Sequence, residues 1–353
     1  MNKILSVIFC VVFFGICTVF SFGMLIPEAS ASYENIDEFP ALISKDGVNH
    51  SFGDDLEAWF SENFAFRHTV VDTYADIKAS TLREGNNQVI IGKDDFLFFA
   101  ETLNSYTGLE PLSDDDISKA AETLMAVQNS ATENGAKFLF VCAPNKNTVY
   151  GDMMPDRYIE CDGDTDMEKL FKELSVRGID YLDLRGILLN AAENELIYHK
   201  RDSHWNGRGA EIAFGEISKS FGIDMVSLEN RGPNYVTDFE GDLDALLYSG
   251  KTLYDSDVTY NFEGLYIYTC AYSTPMDITI TTRGGGQGKL LMYRDSFANA
   301  LIPYAASSFS EVRFERAVPY NTDLIVSFDA DYVIVEIAER NIKDLIDYYP
   351  KEK

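Results

Sequence analysis

Two short segments of this chain carry the residue types that acyl transfer through a serine requires. Residues 202–205 (DSHW) supply a carboxylate and an imidazole, and residues 294–297 (RDSF) supply a hydroxyl at the end of an apolar run. A serine hydroxyl is a weak nucleophile near neutral pH, so it needs an imidazole to take its proton and an acceptor to orient that imidazole. We therefore hypothesise a triad in which Ser296 attacks, His204 accepts the proton and Asp202 orients His204.

The spacing within each segment fits these roles. In an extended segment, residues two apart lie on the same side, roughly 6–7 Å apart at Cα, so the carboxylate of Asp202 can reach Nδ1 of His204. Residues 289–293 (KLLMY) predict a buried strand, and a helix is predicted to start at Phe297 and to be limited by Pro303. Ser296 would then lie in a strand-to-helix turn, where its backbone N–H is free to donate to an oxyanion.

Each segment also has a simpler structural interpretation. An aspartate two residues before a histidine is often a solvated pair or a cap, and Asp-Ser before an apolar segment is often a helix N-cap. Trp205, one of two tryptophans, is by default a core residue or a loop anchor. The catalytic hypothesis therefore requires the two segments to meet in space.

The elements that must position these residues alternate between strand and helix. A helix is predicted from the capping residue Ser113, and its apolar face repeats at helical spacing up to Gly135. Further helices are predicted over residues 166–176 and 209–221, and strands over residues 89–91, 96–99, 137–142, 181–184, 311–314 and 332–337. This alternation predicts an α/β fold with a parallel sheet covered by helices on both faces.

The chain is predicted to have three parts. Residues 1–31 form a signal peptide or an N-terminal membrane anchor, because Lys3 precedes a long apolar stretch and residues 29–31 (ASA) offer a cleavage site. Residues 32–85 form a linker and a small helical segment, and residues 86–353 form the main domain. Within that domain, residues 223–288 predict a β-rich insertion before the nucleophile strand. Both interpretations of the leader predict an extracytoplasmic body, secreted or anchored.

Composition limits the partners. The 353 residues include 57 Asp and Glu against 29 Lys and Arg, a formal net charge of −28. So acidic a surface argues against nucleic acid and anionic membranes as partners, and it makes a polyanionic substrate unfavourable unless the binding groove is locally basic. The cysteines lack metal-ligand spacing, so no metal is expected.

Residues 198–210 (YHKRDSHWNGRGA) resemble the D-x-H-W-x-x-x-G-A signature of the DHHW and alginate O-acetyltransferase-like (AlgX/AlgJ-like) family of the SGNH hydrolase superfamily. The RDSF segment matches the position of that family's G-D-S nucleophile. Further blocks match in the same order, over residues 62–67, 91–99, 144–155, 241–243 and 335–340. The resemblance thus covers nearly all of the chain after residue 55.

The resemblance implies an SGNH-hydrolase-like, flavodoxin-like fold and an Asp-His-Ser enzyme without a cofactor. It implies transfer or removal of O-acetyl groups on an extracellular or cell-envelope polysaccharide, with a membrane-bound acyltransferase as acetyl donor. Lys146 and Arg340 come from matched blocks and, with Arg294 and Trp205, are candidates for substrate binding. An acetylesterase and a non-catalytic polysaccharide-binding or envelope scaffold protein are the alternatives.

Two residues depart from the family pattern. Ser203 replaces the second letter of D-H-H-W, and we expect little effect because its side chain would alternate away from the site. Arg294 stands where G-D-S has glycine, which changes the turn and adds a positive charge near the acyl group. The separate oxyanion-hole blocks of the superfamily have no counterpart in the sequence.

Overall fold

The computed structural model describes residues 3–23, 38–44, 47–248, 251 and 253–350. They divide into two compact units. The first comprises the described residues up to 84 and between 245 and 252, and the second comprises residues 85–244 and those from 253 onward.

The first unit begins with an apolar helix. Helix α1 (Lys3–Gly23) contains an 18-residue window with a mean hydropathy of 2.5 and no buried share. Twenty-one residues extend about 31 Å as a helix, which suffices to cross a bilayer core by length and composition alone. The predicted cleavage site at residues 29–31 lies outside the described residues.

The remainder of the first unit is a short hairpin and two helices. Strands β1 (Ile43–Ser44) and β2 (Gly47–Val48) pair antiparallel, and helices α2 (Phe52–Asn63) and α3 (Arg67–Ile77) follow, the latter extended by a π-helical turn over Lys78–Leu82. The sequence predicts one helical stretch over residues 52–83. The break occurs at Phe66, whose φ of 60° is left-handed and cannot continue a right-handed helix.

The second unit is built on a seven-stranded mixed sheet. The described strands of this unit, in chain order, are β3 (Val89–Ile91), β4 (Leu97–Phe99), β5 (Lys137–Ala143), β6 (Tyr181–Asp183), β7 (Asn234–Glu240), β8 (Tyr254–Thr259), β9 (Tyr266–Tyr268), β10 (Thr279–Gly284), β11 (Lys289–Tyr293), β12 (Glu311–Glu315) and β13 (Tyr332–Ala338), and seven of them form the main sheet. The main sheet has the order β6-β5-β13-β11-β12-β10-β9. Its first five strands are parallel, whereas β10 and β9 add antiparallel.

The predicted fold is confirmed, with a correction to the sheet. The prediction of a parallel sheet is wrong for β9 and β10, which come from the predicted β-rich insertion and extend the sheet antiparallel. The predicted strands β3 and β4 lie outside the main sheet. They pair with each other across a tight turn in which Asp94 and Asp95 have positive φ, so they form a separate hairpin. The insertion also contributes the antiparallel pair β7 and β8.

Helices cover both faces of the main sheet. The helices that begin in this unit are α4 (Leu103–Thr107), α5 (Asp114–Glu133), α6 (Lys146–Val149), α7 (Asp166–Arg177), α8 (Arg185–Ala192), α9 (Gly207–Phe221), α10 (Asp242–Leu247), α11 (Ile302–Ser308) and α12 (Asp323–Phe328). Alternate residues of β11 and β13 point to opposite faces. Met292 and Ile334 pack in the core with α9 and α11, whereas Leu291 and Val335 pack in the core with α5 and α7.

Parallel strands bring the candidate chemical residues to one edge of the sheet. Because β5, β11 and β13 are parallel, their carboxyl ends lie at the same edge, where α/β sheets bind ligands. Strand β5 leads directly to Lys146, β11 leads to Ser296, and β13 leads to Glu339. The topology therefore places these segments beside one another.

The central strands should supply much of the stability of the second unit. Phe314 on β12 is 0% exposed, so Phe314→Ala should lower the free energy of unfolding by about 3–5 kcal/mol through lost burial and the cavity left behind. Urea denaturation measures this. Val326→Ala, at a position 60% exposed, is the control and should change stability by no more than about 0.5 kcal/mol. Equal losses in both variants would contradict this assignment of the core.

Candidate active site

A closed loop carries Asp202 and His204. Tyr198 and Trp205 form an isolated antiparallel bridge, and the backbone N–H of Asn206 donates to the carbonyl of Ile197 at 3.0 Å. Asn206 then caps α9, because its Oδ1 accepts the N–H groups of the first turn. The loop is thus closed at its base and fixed to the start of a helix.

Lys146 holds this loop from beneath. Its Nζ donates to the carbonyl oxygens of His199 at 3.1 Å, Lys200 at 3.0 Å and Asp202 at 2.7 Å. Those three bonds use all the donors of an ammonium group, and the residue is only 3% exposed. The ammonium group of Lys146 therefore supports the backbone of the loop, and substrate binding by Lys146 stays a prediction.

The nucleophile segment is a strand-to-helix turn, as predicted. Ser296 follows β11 and leads into a 3-10 segment, Phe297–Leu301, and then α11. Asp295 is the residue that secures the turn, since its Oδ1 accepts the N–H of Phe297 at 2.8 Å and its Oδ2 accepts the N–H of Ala338 at 2.7 Å. Ser296 makes no side-chain capping bond. Pro303 sits in the first turn of α11, where a missing N–H costs nothing, so the prediction that it limits the helix is wrong.

The structure brings Asp202, His204 and Ser296 together. Ser296 Oγ lies 2.8 Å from Nε2 of His204, and Nδ1 of His204 lies 2.7 Å from Oδ1 of Asp202. With the proton of His204 on Nδ1 and donated to the carboxylate, Nε2 is the acceptor for the serine hydroxyl. The geometry is that of a serine activated by an oriented base.

Hydrogen bonds keep the Asp202 carboxylate ionised. Burial alone would raise its pKa, but the hydrogen bond and charge of His204, with backbone N–H groups of Asp242 and His204, hold that pKa well below its usual range. Those two N–H groups donate at 2.8 Å each. The carboxylate therefore stays available to orient the imidazole and to stabilise its cation.

A second carboxylate, which the sequence left without a role, lies beside the same imidazole. Asp242 Oδ2 is 3.6 Å from Nδ1 of His204 and accepts the Ser203 hydroxyl at 2.6 Å. Burial and the neighbouring Asp202 raise the pKa of Asp242. Gly241 permits this approach, because a Cβ there would lie 2.2 Å from the carbonyl oxygen of Arg201. The only signal in the sequence is the matched block over residues 241–243.

The expectation that Ser203 points away from the site is wrong. Its Oγ lies 3.3 Å from Nδ1 of His204, and its backbone N–H donates to Oδ1 of Asp242 at 2.7 Å. The loop closes too tightly for the alternation of an extended strand. Ser203 therefore bridges the second carboxylate and the imidazole.

A double-mutant cycle can measure this bridge. Ser203→Ala and Asp242→Ala should each destabilise the protein, and the double variant should lose about 1 kcal/mol less than the sum, because both changes break the hydrogen bond between these two side chains. Urea denaturation of the four proteins gives the coupling energy. Additive losses would show that the two side chains act independently.

A cavity of about 520 Å³ opens on Ser296. It is lined by imidazoles and carboxylates, by aromatic rings and by Ser296 itself; these include His199, Asp202, His204, Phe239, Asp257, Tyr260, Phe262 and Tyr304. His199 stacks on Phe239 with ring centroids 3.8 Å apart. Within the described residues the backbone N–H of Ser296 has no acceptor, so it can donate to an oxyanion in this cavity.

The other predicted binding residues do not present polar groups to this cavity. Trp205 is 1% exposed, and its Nε1 donates to the carbonyl of Phe297 at 3.0 Å, so it joins the two segments. Arg340 is half-buried over the rings of Phe99 and Phe297. The indole N–H of Trp205 is therefore engaged, although its ring lines the cavity, and substrate binding by Trp205 and Arg340 stays a prediction.

Arg294 is also internal. It is 5% exposed, and its guanidinium donates to Oδ1 of Asn299 at 2.6 Å and to the carbonyl of Pro275 at 2.7 Å. Burial and the nearby Arg316 lower its pKa to about 10. Arg294 thus holds the turn next to Ser296 through these contacts, and substrate binding by Arg294 stays a prediction.

Metal ligation and the hydrogen-bond chain exclude each other here. Asp202, His204 and Asp242 each offer one ligand atom within 4.8 Å of the others. However, Nδ1 of His204 already bonds Asp202, and its Nε2 bonds Ser296. A metal on this group would displace the proton that orients the imidazole.

A buried carboxyl group lies under the nucleophile turn. Glu336 is 1% exposed, its Oε2 accepts the N–H of Asp295 at 3.2 Å, and its Oε1 has no partner among the described residues. Burial, with the charge of Asp295, raises the pKa of Glu336 well above its usual value of 4.5. The group is therefore favoured in its neutral form.

This carboxyl should make stability depend on pH. A group whose pKa is higher in the folded state stabilises the protein below its unfolded pKa, and that contribution is lost as the pH rises toward the folded pKa. Glu336→Gln keeps a neutral side chain, so it should gain stability over the wild type as the pH is raised above 4.5. Denaturation at pH 5 and pH 8 tests this, with Glu133→Gln on the surface as control. A stability difference that does not change with pH would contradict it.

Comparison with known proteins confirms the resemblance seen in the sequence. Residues 89–244 match the family described as the SGNH hydrolase-like domain of the acetyltransferase AlgX, a range that contains Asp202 and His204. The chain is 24% identical over 189 residues to a protein of Pseudomonas aeruginosa named probable alginate O-acetylase AlgJ. That alignment covers 54% of this chain and 47% of the relative, so the chain spans about half the length of this curated relative.

Two solved structures share the fold. Bacillus cereus PatB1 with a sulfonyl adduct has a TM-score of 0.55 at 16% identity, over 75% of this chain and all of that chain. A DHHW family protein from Eubacterium siraeum has a TM-score of 0.52 at 15% identity, over 67% of this chain and 90% of that chain. At these identities the likeness concerns the fold. The SGNH-like architecture predicted from the sequence is confirmed.

Proposed function

We propose that the chain is an exported serine enzyme that transfers O-acetyl groups to, or removes them from, an extracellular or cell-envelope polysaccharide. The observation that carries the proposal is the contact of 2.8 Å between Ser296 Oγ and Nε2 of His204, with Asp202 on the other ring nitrogen. Two segments far apart in the sequence supply this contact. If the two segments were only a helix cap and a solvated ion pair, nothing would require the Ser296 hydroxyl to contact an imidazole nitrogen beside a cavity.

In the first half-reaction Ser296 Oγ attacks the carbonyl carbon of the acetyl donor, and its proton passes to Nε2 of His204. The oxyanion that forms is stabilised by the N–H of Ser296. When the intermediate collapses, the bond to the donor's oxygen breaks and the imidazolium returns its proton to that leaving group. Asp202 stabilises the imidazolium throughout. The product is an acetyl ester on Ser296.

In the second half-reaction an acceptor hydroxyl attacks the acetyl-serine. Its proton passes to Nε2 of His204, the bond between the acetyl carbon and Ser296 Oγ breaks, and the serine regains the proton. A sugar hydroxyl as acceptor gives acetyl transfer, and water gives hydrolysis. Both outcomes use the same acyl-enzyme, so the acceptor in the cavity decides between transferase and esterase.

The polysaccharide and the location are proposed from the comparisons and from α1. The relatives are named for O-acetylation of alginate, and helix α1 is long and apolar enough to serve as a signal or an anchor. An extracytoplasmic enzyme has no acetyl-coenzyme A in its own compartment. A membrane-bound acyltransferase partner is therefore the proposed acetyl donor. Fractionation of cells that express the chain, with the mass of its N-terminus, tests this location.

Replacement of each member of the proposed triad tests the function. Ser296→Ala and His204→Ala should lower the turnover of p-nitrophenyl acetate by about 10⁴-fold or more, and Asp202→Asn by a comparable or smaller factor, because each removes part of one proton-transfer unit. Ser130→Ala, on the surface of α5, is the control and should keep wild-type turnover. Wild-type turnover in all three site variants would refute the triad.

A covalent probe separates an enzyme from a scaffold. A sulfonyl fluoride should add to Ser296 in one-to-one stoichiometry, and the adduct should be absent in Ser296→Ala when intact mass is measured. The modified peptide should contain residues 294–297. Absence of labelling together with absence of turnover in the wild type would favour the non-catalytic polysaccharide-binding or scaffold protein.

A further inference from the structure

The cavity at Ser296 has no free positive charge. Among the described residues that line it, the carboxylates are Asp202 and Asp257, and none is a lysine or an arginine. Oδ1 of Asp257 accepts the N–H groups of Gly207 at 3.0 Å and Val258 at 2.7 Å, which fixes that carboxylate in the wall. An anionic ligand in this cavity would therefore meet negative charge without compensation.

Two cations near the site, Lys146 and Arg294, cannot turn toward a ligand. Lys146 is 3% exposed with its three donors on backbone carbonyls, and Arg294 is 5% exposed with its guanidinium on Asn299 and on backbone carbonyls. Freeing either would leave buried polar groups without partners. These two positive charges thus support the loop and the turn of the site.

A second cavity of about 720 Å³ continues from the first and is more acidic. The two share Asp257 and other residues of the same segment in their linings. The second adds Glu195, Glu211 and Glu229, and its one cation, Arg208, is already paired with Glu195 and Glu211. Within the described lining, four carboxylates and one guanidinium give a formal charge of −3. We call the two cavities together the acceptor groove.

Aromatic side chains line the same groove. Tyr260 borders both cavities, Phe262 and Tyr304 border the first, and Tyr235, which is 78% exposed, borders the second. Carboxylates accept hydrogen bonds from hydroxyl groups, and aromatic faces pack on apolar C–H surfaces. This combination suits a hydroxyl-rich ring without an acidic group.

We propose that the acetyl acceptor is a glycan free of anionic groups, bound along the acceptor groove, and that polyuronates are poor acceptors. This inference rests on the proposed function and adds the substrate class to it. A uronate chain would place a carboxylate on every sugar unit beside Asp257 and the three glutamates. Repulsion in the groove is only partly screened at low salt, so it should appear in the rate of acceptor use.

The test uses the full chain in detergent micelles with p-nitrophenyl acetate as donor. Two acceptors of equal length are compared, a neutral β-linked glucose oligomer and a mannuronate oligomer, and acetylated sugar is measured by mass spectrometry. The neutral oligomer should be acetylated about tenfold faster or more at low salt. The difference should narrow as salt is raised, because screening relieves only the charged acceptor.

The outcomes distinguish this inference from the proposed function. Equal or faster acetylation of the mannuronate oligomer would overturn the inference. Donor consumption without acetylation of the neutral oligomer would also overturn it, while leaving an acetylesterase. Failure to consume the donor at all would refute the proposed function and, with it, this inference.

A charge reversal in the groove supplies a second test. Glu229 is exposed in the second cavity, and Glu229→Lys should raise the ratio of uronate to neutral product about threefold to tenfold. Glu133→Lys makes the same change in net charge at the end of α5, at the edge of the sheet opposite Ser296. This control should leave the ratio unchanged, and an equal effect of both variants would contradict binding in the groove.

Discussion

The site depends on one carboxylate that must be buried and charged at the same time. Asp202 is 6% exposed, and burial of an ionised carboxylate is costly unless its oxygens are hydrogen-bonded. The N–H groups of His204 and Asp242, and Nδ1 of His204, meet that need. Two of these donors are backbone groups, so the chain must fold around Asp202 before the imidazole can be oriented. The closed loop is the structural consequence of that electrostatic requirement.

The same requirement explains why the positive residues near the site are buried. Lys146 donates hydrogen bonds to the carbonyl oxygens of the loop. Trp205 donates to the carbonyl of Phe297, which connects the loop to the nucleophile turn. A contact as short as that between Ser296 and His204 needs such support, because loosening of even 1 Å removes the alignment on which proton transfer depends. Lys146 and Trp205 therefore hold the loop and the turn that bring His204 and Ser296 into contact.

Much of this arrangement could be predicted from the sequence. Apolar runs and helical patterns predicted most of the strands and helices, and the residue types of the two segments predicted that Asp202, His204 and Ser296 would meet. The contacts of Ser203 and Asp242 could not be predicted, because they arise from a loop closure that depends on Gly241 and on distant backbone. The antiparallel edge was missed for a related reason, since strand direction is set by tertiary pairing and leaves no trace in local periodicity.

Charge gives the final link between fold and substrate. A net charge of −28 could reside anywhere on a surface, and a basic groove within an acidic protein is a common solution for polyanions. Here the arginine in the described lining of the groove, Arg208, forms ion pairs with Glu195 and Glu211. Lys146 and Arg294 donate to backbone carbonyl oxygens. The proposed acceptor groove, acidic and lined by aromatic rings, would disfavour an acceptor built of uronates, although this chain is similar to proteins named for alginate. Specificity on a common scaffold would then lie in the residues that line the groove, while the hydrogen-bonded core of the site stays the same.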